Sequence, residues 1–222
     1  MQKGLPRFCD VLVAFLGLSL FSPLLVLVAL AIRLSSKGPI IFRQQRVGQN
    51  GRSFQLYKFR TMRASTGGPQ VTARDDKRIT SVGTILRKLK IDELPELLNV
   101  LRGEMALVGP RPEVERYVDR ENPNWQDVLQ TKPGITDPVT LRLRNEEILL
   151  AGVDNDRERF YLEVLQPFKL RGYVQYQQQR TWQSDLRVLY ETALAVLLPN
   201  RVPPPTLSEL TMFPNTIPCR NR

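Results

Sequence analysis

The sequence predicts an α+β chain, mainly helical with one short β-hairpin, behind an N-terminal membrane segment that breaks at its middle. Val11–Ile32 is a run of 22 residues without a charge. Two strand-like runs flank a Gly-Gln-Asn-Gly turn, and helical spacing of apolar residues recurs in several later stretches. Composition sets the outer limits. At 222 residues the chain is long enough for one sizeable domain. It has no histidine, which excludes a Ser-His-Asp triad, a His-based zinc site and imidazole acid–base catalysis. Cys9 and Cys219 lie near opposite ends without ligand spacing, so no disulfide framework is expected and the redox compartment stays open. Chemistry must come from carboxylates, Lys, Arg, hydroxyls and hard cations. The formal charge of +10, from 32 basic and 22 acidic residues, calls for an anionic partner.

As straight helix the apolar run would reach about 33 Å, enough to cross a bilayer. It is longer than the apolar part of a signal peptide, and no small-x-small cleavage site precedes Arg33. Ser19 and Ser22 alone interrupt its apolar circumference, which argues against a buried core helix. Ser22-Pro23 marks the break, because proline lacks the N–H of the helical ladder and crowds the preceding turn. Lys3 and Arg7 flank one end; Arg33, Lys37, Arg43 and Arg46 flank the other. A simple span would put one basic set outside, whereas a helix-break-helix that dips in and returns keeps both on the cytoplasmic side. At this level a kinked span and a re-entrant segment both stay open.

No acidic residue lies between Asp10 and Asp75, while Arg33–Arg74 carries nine basic ones. Such a run suits anionic headgroups, a solvated face or a phosphate site. Within it Ile40–Val47 and Ser53–Phe59 read as strands joined by Gly48-Gln49-Asn50-Gly51. Ser81 is placed to cap a helix running to about Lys90. A second helix over Leu94–Leu101 has leucines at 94, 97, 98 and 101 and is closed by Gly103. Arg157–Leu165 reads as helix. So does Ser184–Leu198, where Leu186, Leu189, Tyr190, Ala193, Leu194 and Leu197 form a stripe expected to face the core. The expected division is an anchor over 1–36, a body over 37–200, and a disordered tail over 201–222 with three consecutive prolines.

Ile91-Asp92-Glu93-Leu94-Pro95-Glu96 puts two adjacent carboxylates where a helix should begin. In the plain reading Asp92 caps the helix and Glu93 answers its dipole. In the functional one the pair supplies a nucleophile and a base or metal ligand beside a phosphate. Arg87, Lys88 and Lys90 precede the pair. Gly109-Pro110-Arg111-Pro112 holds an arginine stiffly between prolines, suited to gripping phosphate. Lys132-Pro133-Gly134 adds a further cation on a tight turn.

Lys58-Phe59-Arg60-Thr61-Met62, Ile91-Asp92-Glu93-Leu94-Pro95-Glu96-Leu97-Leu98-Asn99-Val100-Leu101 and Leu107-Val108-Gly109-Pro110-Arg111-Pro112 together resemble the bacterial sugar transferase family, the monotopic phosphoglycosyl transferases. Gly38–Phe42, Gln45–Gly48, Asp76–Thr80 and Lys132–Asp137 support the likeness, as do Arg7-Phe8-Cys9-Asp10 and Ser22-Pro23. It covers roughly residues 7–190 and corresponds to the small catalytic form. The resemblance implies transfer of a sugar-1-phosphate from a UDP-sugar to a polyprenyl (undecaprenyl) phosphate, with Mg²⁺ as cofactor. Asp92 would attack the β-phosphorus, release UMP and carry the phosphosugar; Glu93 would act as metal ligand or base beside it. Arg87 and Arg111 would hold phosphate, with Lys58, Arg60 and Lys132 as further candidates. The family's Ser-Pro break favours the re-entrant course, with interfacial helices and a catalytic domain facing the cytoplasm at the bacterial inner membrane.

The expected partners are the UDP-sugar donor, the polyprenyl phosphate acceptor, membrane lipids and downstream glycosyltransferases. A homodimer is left open, and nucleic acid is not among the partners. Many relatives follow Pro-Gly-Ile-Thr with Gly-Trp-Ala-Gln, whereas this chain reads Asp137-Pro138-Val139-Thr140-Leu141-Arg142, so the sugar stays undetermined. Two other classes compete. A membrane-anchored basic binding protein would leave Asp92-Glu93 unexplained. A Mg²⁺-dependent phosphohydrolase would use water where the transferase uses lipid phosphate.

Overall fold

The computed structural model describes residues 4–63, 72–73, 75–153, 156–198 and 202–211. The N-terminal segment is one helix, α1 (Arg7–Ser35), that runs through Pro23, so the break expected at Ser22-Pro23 does not divide it into two helices. At 1.5 Å per residue its 29 residues extend about 43 Å. Ser22 Oγ donates to the Ser19 carbonyl at 2.8 Å, one turn before the proline. Four of its residues are buried: Asp10 and Ala14 near one end, Val28 and Ile32 near the other. Between them Leu20 and Leu27 are 74% and 64% exposed.

Both ends of α1 are fastened to the same body. At the start, Arg7 donates to carbonyls of α3 (Glu96–Arg102), and Asp10 accepts from the Leu107 N–H at 3.1 Å. Leu5 N–H donates to Asp185 at 2.8 Å, 180 residues away in the chain. At the other end the Arg60 guanidinium reaches the Ser36 carbonyl at 2.7 Å and the Pro39 carbonyl at 2.5 Å. Arginine suits this position because its planar fork can satisfy several carbonyls that a helix end leaves without partners.

The hairpin forms as expected: β1 (Ile41–Val47) pairs antiparallel with β2 (Ser53–Phe59), and Asn50 takes the left-handed conformation at the turn. Helix α2 (Ser81–Leu89) begins one residue earlier than expected, for it is Thr80 whose hydroxyl accepts the Gly83 N–H. Gly103 closes α3 in the left-handed region, as its position predicts. A second sheet pairs β3 (Ala106–Val108) in parallel with β4 (Gly134–Thr136). Gly109 and Gly134 lie backbone to backbone there, and a Cβ on Gly134 would collide with the Gly109 main chain.

Short helices α4 (Pro123–Leu129), α5 (Pro138–Arg142) and α6 (Glu146–Ala151) follow. Helix α7 (Arg157–Phe160) runs into a π-helical turn over Tyr161–Leu165 and on into α8 (Gln166–Gln179). Pro167 explains the widened turn, since it has no N–H to continue the regular ladder. The largest core packs Trp125, Val128, Tyr161, Leu165, Leu170 and Tyr173 together. A second joins Ala14 of α1 to Val100, Met105 and Val108, and a third joins Val28 and Ile32 of α1 to Phe59 and Leu86.

Two further expectations need correcting. In α9 (Trp182–Leu197) most of the stripe does not face the core: Leu186, Tyr190 and Leu197 are exposed, Leu189 packs partly buried against the second core, and Asp185, Val188 and Ala195 are buried. Asp185 decides the rotation. It is fully buried, ion-paired with Arg180 at 2.8 Å and bonded by the Tyr176 hydroxyl, so its face must turn inward. Within the tail expected to be disordered, residues 202–211 instead carry α10 (Leu207–Thr211). Leu210 is 2% exposed in the main core and Glu209 pairs with Arg142 of α5 at 2.8 Å. The remainder of that expected tail, residues 201 and 212–222, lies outside the described residues.

Candidate active site

The acid pair sits on a hinge between two helices. Lys90 ends α2 in the left-handed region, at φ 57°, and Ile91–Glu93 forms a 3-10 turn before α3. Asp92 therefore caps nothing: the N-cap of α3 is Pro95, and no side chain bonds there. The plain reading of Asp92 fails for this reason. The carboxylate is only 7% exposed, and its buried Oδ1 has no hydrogen-bond partner among the described residues. A buried acceptor left unmade is unfavourable by about 1–3 kcal/mol, more if charged.

Glu93 is held in the opposite way. Lys58, reaching in from β2, places Nζ 3.0 Å from Glu93 Oε1 and 3.1 Å from Glu96 Oε1. Arg111, aimed between its prolines, closes on the same Glu93 carboxylate at 2.5 Å. Burial pushes the Asp92 carboxyl above its ordinary value, and the neighbouring Glu93 charge adds to this against Lys58, Lys90 and Arg87. Burial would raise Glu93 too, but Arg111, Lys58 and Lys90 outweigh it and hold that carboxyl well below the usual range. Adjacent acids driven in opposite directions are the arrangement from which distinct chemical roles arise.

A cleft of about 1170 Å³ opens on this pair. Its lining joins Asp92, Glu93, Lys58 and Arg111 to Phe21 and Leu24, the residues that bracket Ser22-Pro23, and to Val196 and Leu197 of α9. Charged and membrane-type surfaces thus meet at one cavity. The residues suit a divalent cation: Asp92 offers an unengaged oxygen and Glu93 an ionised carboxylate one residue away. Among the described residues no group of three or more His, Cys, Asp or Glu could hold a metal. Two carboxylates fit the habit of Mg²⁺, which keeps waters and takes its remaining ligands from substrate phosphates.

The other sequence candidates divide. Arg87 lines the cleft, but its guanidinium is bonded to Glu147 of α6 at 2.7 and 3.0 Å. Arg60 also borders the cleft, and its terminal nitrogens fasten the end of α1. Lys132 stands apart from the cleft, its ammonium beside Gly103 at the end of α3. Glu96, 1% exposed and paired with Lys58, escaped notice in the sequence because it reads as an ordinary first-turn glutamate. Glu147 and Lys169 were equally silent, since their partners are brought from distant segments.

A family model described as bacterial sugar transferase matches residues 1–199. The chain belongs to the bacterial sugar transferase family. Within the family it is 49% identical over 141 residues to a Caulobacter vibrioides protein named UDP-glucose:undecaprenyl-phosphate glucose-1-phosphate transferase, covering 61% of this chain and 53% of that one. It is 45% identical over 135 residues to an Aeromonas hydrophila UDP-N-acetylgalactosamine-undecaprenyl-phosphate N-acetylgalactosaminephosphotransferase, covering 59% and 32%. Exopolysaccharide production protein ExoY of Rhizobium meliloti matches over more of both chains, at 34% identity over 211 residues, 86% of this chain and 85% of that one. This family member thus spans about half the length of the first relative and about a third of the second.

Proposed function

We propose that this chain transfers a sugar-1-phosphate from a UDP-sugar to polyprenyl phosphate, through a phosphosugar carried on Asp92. The observation that supports it best is the unpartnered, buried Asp92 oxygen in a cleft lined by cations on one side and by α1 on the other. A carboxylate is a weak nucleophile, but it suffices toward phosphorus whose charge is neutralised in a water-poor site. Asp92 forms a bond to the β-phosphorus, the bond from that phosphorus to the bridging oxygen breaks, and UMP leaves with the electron pair. An oxygen of the lipid phosphate then attacks the same phosphorus and the Asp92 carboxylate departs. Arg111 and Lys58 hold the phosphoryl oxygens in both steps and fix Glu93 in its ionised form.

Asp92 and Glu93 are the residues that would hold Mg²⁺, which when bound supplies charge neutralisation at the diphosphate. The names of the Caulobacter and Aeromonas relatives support the donor and acceptor classes. The product would start a lipid-linked glycan (exopolysaccharide, capsule, O-antigen or glycoprotein) that downstream glycosyltransferases extend.

The re-entrant course of α1 belongs to the same proposal. Its first and last turns both bond to one body, which lies on one side of a bilayer, while the exposed apolar middle dips into lipid. The active site then sits at the cytoplasmic face of the bacterial inner membrane. The test uses the full chain in sealed vesicles with UDP-sugars and Mg²⁺, with and without undecaprenyl phosphate. Lipid-dependent UMP release is expected; release independent of lipid would mean hydrolysis, and no release from any donor would overturn both. In the same vesicles a cysteine placed at position 2 should react only from the side that carries the active site.

A further inference from the structure

Away from the acid pair, the cleft is walled by polar groups that the transfer chemistry leaves unused. Glu113, Tyr117, Glu146, Tyr161 and Lys169 all line it. Lys169, 8% exposed, lies 2.7 and 2.9 Å from the two Glu146 oxygens, and its ammonium is 4.6 Å from the centre of the Tyr161 ring. The Tyr161 hydroxyl donates to Glu113, whose other oxygen takes Arg46 at 3.0 Å. Tyr117 and Tyr161 stand ring to ring at 5.3 Å, tilted by 44°. Tyr161 belongs to the π-helical turn, a local widening that in helices frequently marks a functional position.

The chemistry of this wall differs from a phosphate grip. Its two cations and two carboxylates are matched to each other, so no net charge is left to draw an anion. What it offers are ionised carboxylate acceptors, an ammonium donor and aromatic edges, held in place by mutual bonds. That combination recognises a neutral molecule rich in hydroxyls: carboxylates accept from hydroxyls, the ammonium donates to them, and rings cover the apolar C–H faces. We propose that Glu113, Glu146, Tyr161 and Lys169 form a subsite that hydrogen-bonds the vicinal hydroxyls of a carbohydrate part of the donor. This rests on the transferase reading, which supplies a donor with two such parts, the hexose and the ribose. Helix α5 contributes Thr140 and Leu141 to the same cleft, from the segment where this chain departs from the common Gly-Trp-Ala-Gln.

Glu146→Gln and Tyr161→Phe test the subsite, each removing a charge or a hydroxyl with little change of shape. One arm measures kcat/KM and direct binding for UDP-hexoses that differ at a single hydroxyl, UDP-glucose and UDP-galactose among them. The other measures binding of UDP against 2′-deoxy-UDP. A lost hydrogen bond to a charged group should change the discrimination ratio in one arm by about 10-fold or more. A changed hexose ratio assigns the wall to the sugar, and a changed ribose ratio assigns it to the nucleoside. If both ratios stay at wild-type values in both variants, while thermal unfolding shows them folded, the subsite is overturned. Absent lipid-dependent UMP release by the wild type would instead remove the transferase reading, and the binding arms would still report on the wall.

Discussion

Two groups in the lining of the cleft solve the problem of buried charge differently. Around Asp92 the charges come mostly from one short stretch, Arg87 to Glu96, joined by Lys58 and Arg111, and they remain incompletely matched: among the described residues Asp92 Oδ1 has no hydrogen-bond partner. In the wall, Arg46, Glu113, Tyr161, Lys169 and Glu146 come from separate segments and satisfy one another. Matched charges bind by shape and hydrogen bonding, whereas an unmatched buried oxygen waits for a cation or an electrophile. In the proposed transfer, the contrast separates a reacting part from a recognising part.

Asp92→Asn breaks the contrast most severely. It should lower UMP release by at least about 10³-fold, since the covalent step is lost. Thermal unfolding should show no loss of stability, because a poorly solvated charge has been removed. Near-normal turnover would end the nucleophile assignment. The wild-type pH profile carries the same signature: with the Asp92 carboxyl raised by burial, activity that needs it ionised should fall on acidification before an ordinary aspartate would protonate.

A smaller effect is expected at Asp137. This residue caps α5, accepting from the Val139 and Thr140 N–H groups, and burial raises its carboxyl to about 6. A raised folded-state value stabilises the protonated form. The contribution is fully present below the unfolded value of 3.8 and is lost as pH rises through about 6. Asp137→Asn keeps an acceptor for the cap without the charge. Between those pH limits it should gain up to about 3 kcal/mol on the wild type, readable by denaturant unfolding at each pH. A constant difference across that range would show that burial does not raise the Asp137 carboxyl.

The reacting part was legible in the sequence because it is local. Asp92-Glu93, the proline-flanked Arg111 and the hairpin with its Asn-Gly turn each announce themselves within a few residues. What was misread depended on tertiary partners. The α9 stripe has helical spacing that suits a core, but buried Asp185 and its arginine turn Leu186, Tyr190 and Leu197 outward. For Arg60 and Arg87 the sequence shows the residue type that suits phosphate but not the partners they hold in the fold. Helix-end carbonyls engage the first and Glu147 the second. The glutamine-rich stretch of α8 lacks a strong apolar period, so a 14-residue helix went unseen. The wall could not be read at all, since no local pattern links residue 46 to residue 169.

The attachment of α1 also has a consequence in time. Its apolar turns are synthesised before the groups that fasten its beginning, for Leu107 and Asp185 come about 100 and 180 residues later. At ribosomal speeds of roughly 5–20 residues per second, Asp185 emerges on the order of 10–40 s after Leu5. For that interval the beginning of the helix lacks the groups that later hold it. On the proposed re-entrant course the bilayer is then the first folding partner of this segment, and the body closes around a helix already in place.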